Sequence, residues 1–178
     1  MKKFPGLFAC LFLASGQVSA ADEFQKVKCG ADIPKAIIGQ RSSNATVVAT
    51  EKKYGALGLK HLGADEISDN LSSINWLICG SEFIMLVDRH NIVGDVMLFP
   101  AHSRQSPAFT GLCKLKGKDM PDIIVAILDG TKAGEKDKDP LPVVTAWKID
   151  QQHAKFVKIA SEGMLCPRSG IYTVDGGL

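Results

Sequence analysis

Four cysteines are the residues of this sequence whose type and spacing most directly predict chemistry. The chain has five cysteines, and four of them follow the apolar N-terminal stretch: Cys29, Cys79, Cys113 and Cys166. An even number of cysteines in an exported chain favours disulfides. Three pairings are open to four cysteines. We favour Cys29–Cys79 together with Cys113–Cys166, because these two bridges close two successive halves of the chain.

The same cysteines lack the spacing of a metal or redox site. A zinc site with four thiolate ligands would use close Cys-x-x-Cys pairs, and thioredoxin-like chemistry needs one such pair. No two cysteines of this sequence are separated by only two residues. The sequence therefore predicts structural disulfides, with no metal and no other cofactor.

Histidines and acidic residues give no local catalytic motif. The sequence contains four histidines, none in the His-x-x-x-His or His-Glu-x-x-His spacing of a metal site: His61, His90, His102 and His153. His61 could share a metal with Asp65 and Glu66 from one turn of a helix, although a solvated surface is the favoured interpretation. The charged run 135–139 lacks the ligand spacing of a calcium loop.

A hydrolase remains the alternative if its residues meet only in space. His90 lies in a predicted turn with Asp88, and His102 is followed directly by Ser103. Neighbouring positions do not make a nucleophile–base pair, and the Gly-x-Ser-x-Gly motif is absent. His90, His102 and Asp88 would be the first residues to test, whereas His153 is interpreted as an exposed turn residue.

The first twenty residues read as a secretory signal peptide. Lys2 and Lys3 precede a short apolar stretch, residues 4–14, and small side chains occupy the positions before Ala20. This order of features predicts cleavage after Ala20, with Ala21 as the alternative site. The apolar stretch is shorter than the roughly 20 residues that span a bilayer.

The remainder, residues 21–178, has the length of one domain. A lipoprotein that used Cys10 is the alternative to simple secretion, but few apolar residues precede that cysteine. Removing Lys2 and Lys3 from the 21 basic residues makes them equal in number to the 19 acidic ones. No basic stripe predicts nucleic-acid binding, and no later stretch predicts a transmembrane helix. We therefore expect a periplasmic or secreted protein.

The first part of this domain has helical and mixed patterns. Asp32 and Pro34 predict the start of a helix that stops at Gly39. The β-branched residues of 45–51 predict a strand. Residues 52–63 predict a weak helix or an irregular turn. Ile67, Leu71 and Ile74 have helical spacing, so 64–74 is predicted to be a second helix.

The rest of the domain is dominated by strand patterns. A two-residue turn at Gly80–Ser81 is predicted to join the first two of these strands. Residues 101–121 and 130–142 are predicted to be loops. The predicted strands are 76–79, 82–88, 92–100, 122–129, 143–150 and 155–160.

Helices followed by closely spaced strands predict an α+β fold. We expect an antiparallel meander of about five to seven strands, with the N-terminal helices packed on one face and two disulfides. Trp76 and Trp147 lie in predicted strands and are interpreted as core residues. An exposed aromatic on a sheet face that holds a ligand is the alternative for both.

These patterns favour a non-enzymatic binding module that is exported. Its ligand or partner is unknown, and an inhibitor or an envelope accessory protein would fit. Loops 101–112 and 130–142 are the expected contact elements, because recognition residues tend to lie on loops held by a rigid scaffold. The small secreted hydrolase described above is the alternative function.

Overall fold

The computed structural model describes residues 22–42, 45–132, 139–169 and 171–172. The predicted signal peptide, residues 1–20, lies outside these ranges and stays a prediction. Within the described residues the chain forms mostly antiparallel β-structure in two sheets, tied by two disulfides.

Two short α-helices precede the strands. Helix α1 (Ile33–Ile37) starts as predicted, since the Asp32 side chain accepts a hydrogen bond from the N–H of Lys35 at 3.0 Å. Helix α2 (Val47–Lys53) replaces the strand that was predicted for 45–51, and that prediction is wrong. The Thr46 hydroxyl accepts a hydrogen bond from the N–H of Ala49, so a capped first turn prevails over the β-branched composition. A 3₁₀ turn, Gly55–Leu57, follows.

The first sheet is a meander of four strands in chain order. Its strands are β1 (Lys60–Ser68), β2 (Leu71–Ile78), β3 (Ser81–Asp88) and β4 (Val93–Leu98). The helix predicted for 64–74 is wrong, because this segment forms the β1–β2 hairpin. Its three apolar residues do not share a face: Ile67 and Leu71 contact the second sheet, whereas Ile74 faces the opposite cluster.

The β2–β3 turn lies one residue earlier than predicted. Ile78 pairs with Ser81, so the two turn residues are Cys79 and Gly80 rather than Gly80 and Ser81. Their φ angles are 53° and 79°, and positive values at both positions are typical of a type I′ turn. The N–H of Cys79 also donates to the carbonyl of Leu57 at 2.7 Å, which fixes the turn against the preceding loop.

The second sheet contains the remaining strands. They are β5 (Ala108–Gly111), β6 (Lys114–Leu115), β7 (Lys118–Asp119), β8 (Ile124–Leu128), β9 (Leu141–Asp150), β10 (Lys155–Ile159), β11 (Met164–Cys166) and β12 (Ile171–Tyr172). Their order is β12-β5-β8-β9-β11-β6-β7, and β10 also pairs with β9. The strands predicted for 122–129, 143–150 and 155–160 are confirmed. The predicted loop 101–121 is wrong in part, because it contains β5, β6 and β7.

Three apolar clusters fill the spaces between the layers of the fold. The N-terminal cluster packs Phe24, Ile33 and Ile37 on one face of the first sheet. The inter-sheet cluster lies between the two sheets and includes residues of β3 and β8. The C-terminal cluster lies on the far face of the second sheet, around Met164. The described strands form two sheets rather than one meander, and a helical layer over one face is not confirmed.

The central strands β3 and β8 are buried on both faces. Phe83, Met85 and Val87 belong to the N-terminal cluster, while Ile84 and Leu86 belong to the inter-sheet cluster. Strand β8 divides in the same way between the inter-sheet and C-terminal clusters. Burial on both faces explains why these strands are continuous apolar runs without alternation.

The disulfides link Cys29 to Cys79 and Cys113 to Cys166, which is the pairing that we favoured. Each bridge lies at a different outer cluster: Cys79 packs against the N-terminal cluster, and Cys113 and Cys166 are inside the C-terminal cluster. None of the helices within the described ranges has the length and apolar content that crossing a membrane requires.

The two sheets meet closely where β4 passes β10. The Asp95 carboxylate accepts a hydrogen bond from the N–H of Phe156 at 2.9 Å, and Lys155 Nζ donates to the carbonyl of Gly94 at 2.7 Å. A Cβ atom at position 94 would lie 2.6 Å from the Cβ of Ala154 and 3.0 Å from its carbonyl oxygen. Glycine is therefore required at position 94 for this contact.

We expect Gly94→Ala to lower the free energy of unfolding by about 2 kcal/mol, because the added methyl forces β4 and β10 apart. The control is Gly63→Ala on β1, where the added Cβ has no atom within 4 Å. Urea unfolding of both variants tests the expectation. Equal effects of the two substitutions would contradict the close contact.

The two disulfides span similar separations, 50 and 53 residues. The chain-entropy model assigns each bridge about 4 kcal/mol of stabilisation. We expect Cys113→Ser/Cys166→Ser to cost more than Cys29→Ser/Cys79→Ser, because it also places two hydroxyls inside the C-terminal cluster. Urea unfolding of the two double variants gives the comparison, and a larger loss for Cys29→Ser/Cys79→Ser would contradict it.

Candidate functional site

His90 and Asp88 form a turn between β3 and β4. The Asp88 carboxylate accepts hydrogen bonds from the N–H groups of His90 at 2.8 Å and Ile92 at 2.9 Å. His90 is exposed, and its Nε2 accepts a hydrogen bond from Arg89 Nε. The carboxylate thus holds the backbone of the turn, which is a structural function common for aspartate.

His153 is part of a second turn of the same kind. The Asp150 carboxylate accepts hydrogen bonds from the N–H groups of Gln152 and His153, and its other oxygen lies 2.8 Å from His153 Nδ1. The hydrogen bond from His153 lowers the pKa of Asp150. His153 is exposed in this turn, as the sequence predicted.

His61 lies on β1 and not on a helix, so the helical turn on which a metal site with Asp65 and Glu66 was considered is not formed. The His61 ring packs edge-on against Trp76, with 5.0 Å between ring centres, and the backbone N–H of His61 donates to the Glu51 carboxylate at 2.7 Å. Asp65 and Glu66 are exposed on the same strand. Across the described residues, no group of three or more His, Cys, Asp or Glu side chains could hold a metal ion.

His102 is the histidine that the fold buries. Its Nε2 lies 3.6 Å from a carboxylate oxygen of Glu82, and the two side chains are 2% and 9% exposed. The other carboxylate oxygen accepts a hydrogen bond from Asn75 Nδ2 at 3.3 Å. The ring of His102 also packs edge-on against Phe99, a member of the inter-sheet cluster. This carboxylate–imidazole pair therefore lies at the margin of the contact between the sheets.

Burial raises the pKa of Glu82, while the nearby His102 and the hydrogen bond from Asn75 act in the opposite direction. Ser103, the sequence neighbour of His102, is exposed, and its Oγ accepts a hydrogen bond from the N–H of Gln105. The described contacts do not join His102 to His90 or to Asp88. Sequence reasoning missed Glu82, although period-two alternation along β3 places it on the same face as Ile84 and Leu86.

A second polar group lies beside the N-terminal cluster. Asp22 accepts hydrogen bonds from Lys53 Nζ at 2.5 Å and from the Tyr54 hydroxyl. Burial works to raise the pKa of Asp22, but these two hydrogen bonds, the charge of Lys53 and a hydrogen bond from the N–H of Phe24 together lower that pKa. The Phe24 ring packs between those of Tyr54 and Trp76. This group anchors the start of the described chain and was not predicted from the sequence.

Three exposed apolar side chains of the second sheet point away from the C-terminal cluster. Leu112, Val144 and Leu165 are 56%, 58% and 39% exposed, and we call these three residues the apolar strip. In the sheet, Leu165 pairs with Pro142 on one side and with Lys114 on the other.

Alternation along the chain assigns the members of the apolar strip to one side. Val144 follows Pro142 by two residues, where the pairing of β8 with β9 shifts register, and Leu112 precedes Lys114 by two residues, between β5 and β6. Residues two apart in extended chain point to the same side. The intervening residues Val143 and Cys113 are buried, as this alternation requires.

Charged residues of the β6–β7 hairpin border the apolar strip. Lys114 pairs with Leu165 and with Asp119, so these three side chains share one side of the sheet, whereas Lys118 is on the other side. Lys114 also lies 3.5 Å from the exposed Asp119 carboxylate. The tryptophans contribute little to this surface: Trp76 is a core residue, as predicted, and Trp147 is half-buried.

No protein-family model, curated protein or solved structure matches this chain. The candidate sites therefore rest on geometry alone: a buried Glu82–His102 pair and an exposed apolar strip bordered by Lys114 and Asp119.

We expect Glu82→Gln to change how stability depends on pH. Because burial raises the pKa of Glu82 above its usual 4.5, the folded protein binds this proton more tightly than the unfolded chain does. Glu82 therefore has a lower pKa in the unfolded chain than in the folded protein. As the pH rises between these two pKa values, the free energy of unfolding of the wild type should fall relative to that of Glu82→Gln.

Denaturant unfolding of both proteins from about pH 4 to about pH 7 measures this difference. Glu66→Gln, at an exposed carboxylate of β1, is the control for losing one negative charge without burial. A wild type that gains stability over Glu82→Gln as the pH rises would contradict the expectation.

Proposed function

We propose that this protein is an exported, non-enzymatic binding module that holds its partner on the apolar strip. The observation that carries the proposal is the exposure of Leu112, Val144 and Leu165 on one side of the second sheet. Exposed large apolar side chains that adjoin one another commonly mark interaction sites, whereas isolated ones need no explanation.

The expected contact loops adjoin this same surface. The segment 101–112 contains β5 and ends at Leu112, and the segment 130–142 ends in the first residues of β9 at Pro142, which pairs with Leu165. Residues 133–138 of that connection lie outside the described ranges. The neighbouring Lys114 and Asp119 would add polar contacts around an apolar centre, which is the usual composition of a binding surface.

The polar residues that could do chemistry support a non-enzymatic function. Asp88 and Asp150 hold turns through their carboxylates. Glu82 and His102 are almost completely buried, so a substrate would have very little of either side chain to contact. Their positions explain these acid–base candidates as structural residues, and no catalytic site is needed to explain them.

Export is supported by the disulfides. Structural disulfides persist in oxidising compartments such as the periplasm and the extracellular space, and they are rare in the cytosol. Both bridges of this protein close long loops. Together with the predicted signal peptide, they support a periplasmic or secreted binding module.

We expect Leu112→Lys/Val144→Lys to reduce partner capture from the native envelope at least about tenfold, since charges replace the apolar centre of the surface. The matched control is Val48→Lys on α2, whose side chain is 74% exposed and lies outside the apolar strip. Quantitative affinity capture with the processed protein provides the measurement, and thermal melting checks that each variant is folded.

Two results would contradict the proposal. The first is equal capture by the wild type and the folded strip variant. The second is turnover in an esterase, glycosidase and peptidase panel that is lost in His102→Ala or His90→Ala. The second result would favour the alternative of a small hydrolase.

A further inference from the structure

The Cys29–Cys79 bridge joins the tips of two surface turns. Cys29 lies in a turn closed by a hydrogen bond from the N–H of Ala31 to the carbonyl of Lys28. Cys79 lies in the tight turn between β2 and β3. In both turns a glycine with positive φ follows the cysteine. Cys29 is exposed and Cys79 is half-buried, so a reagent in solution can approach the bridge from the Cys29 side.

The Cys113–Cys166 bridge has the opposite environment. Cys113 and Cys166 are 1% and 0% exposed, and both belong to the C-terminal cluster. Cys166 also ends strand β11, which is paired with β6 and β9. A reagent can reach this bridge only after that part of the sheet opens.

We propose that Cys29–Cys79 is a thiol–disulfide exchange site in the folded protein, with dithiols as the class of co-substrate, and that Cys113–Cys166 is closed to the same reagents. Exchange requires a thiolate to reach one sulfur of the bridge, so access decides which bridge reacts.

The reaction is a two-electron transfer in two steps. A thiolate of the dithiol attacks the Sγ of Cys29, the sulfur–sulfur bond breaks, and the electron pair leaves on the Sγ of Cys79, which takes a proton from water. The second thiolate of the dithiol then attacks the dithiol-derived sulfur of the mixed disulfide and releases Cys29 as a thiolate, which takes a proton from water; the two protons match those that the dithiol lost on ionising. The protein gains two thiols, and the dithiol becomes a cyclic disulfide.

Within three residues of Cys29 the chain carries two lysines and one carboxylate, Asp32, so the local charge is positive overall. Lys28 immediately precedes Cys29, and Lys26 lies two residues earlier; both side chains are exposed. A thiolate is an anion, so these ammonium groups favour its approach to the turn.

Other contacts hold the N-terminal segment in place when this bridge opens. Phe24 and Ile37 are buried in the N-terminal cluster. The N–H of Gly39 donates to the carbonyl of Val93 at 2.8 Å, and the N–H of Val93 donates to the carbonyl of Gln40 at 3.0 Å. Reduction of the bridge therefore does not require the segment to leave the first sheet.

Native-state reduction followed by alkylation tests the proposal. The folded protein is treated with dithiothreitol, quenched with iodoacetamide at intervals, and mapped by peptide mass. We expect Cys29 and Cys79 to be alkylated on the order of 100-fold faster than Cys113 and Cys166, since the buried bridge reacts only through opening. Near-UV circular dichroism, recorded in parallel, should retain its native signal after the fast phase.

Variants with one bridge each provide the control. Cys113→Ser/Cys166→Ser should keep the fast phase, and Cys29→Ser/Cys79→Ser should lose it. If a variant does not fold, peptide mapping of the alkylated wild type still tests the proposal by itself. Simultaneous alkylation of all four cysteines, earlier alkylation of Cys113 and Cys166, or no alkylation without denaturant would each overturn the proposal.

Discussion

The burial of β3 and β8 on both faces is the constraint on which the rest of the structure depends. Each strand presents apolar side chains in two directions, so the chain must supply a covering layer on either side. One layer is shared, because the two sheets cover each other through the inter-sheet cluster. The N-terminal segment covers the outer face of β3, and the curled second sheet covers the outer face of β8 with its own later strands.

The disulfides and the buried polar groups lie in different parts of the structure. Each disulfide lies at an outer cluster, where the covering chain is short or irregular. The contact between the sheets has polar groups at its margin instead: Asp95 binds the backbone of β10, and Glu82 meets His102. A buried carboxylate is costly unless it is paired, so these groups also help to define how the sheets meet.

Local patterns predicted the strands of the second half of the domain well, but they predicted the wrong structure for two segments of the first half. Runs such as 82–88 and 122–129 are apolar throughout, and both became strands. The segment 64–74 has helical spacing, yet its apolar residues serve two different clusters across a hairpin. The segment 45–51 has β-branched residues, but a capping threonine starts a helix. In both cases a contact distant in sequence, or a single cap, outweighed composition.

The sequence by itself determined which four cysteines are suited to disulfides, the apolar central strands and the turn positions of His90 and His153, because these depend on residue type and on near neighbours. Tertiary structure alone decided the pairing of Glu82 with His102 and the grouping of Leu112, Val144 and Leu165 on one face. It also decided the difference in exposure between the two disulfides. Such properties depend on which segments cover which faces, and short-range patterns do not contain that information.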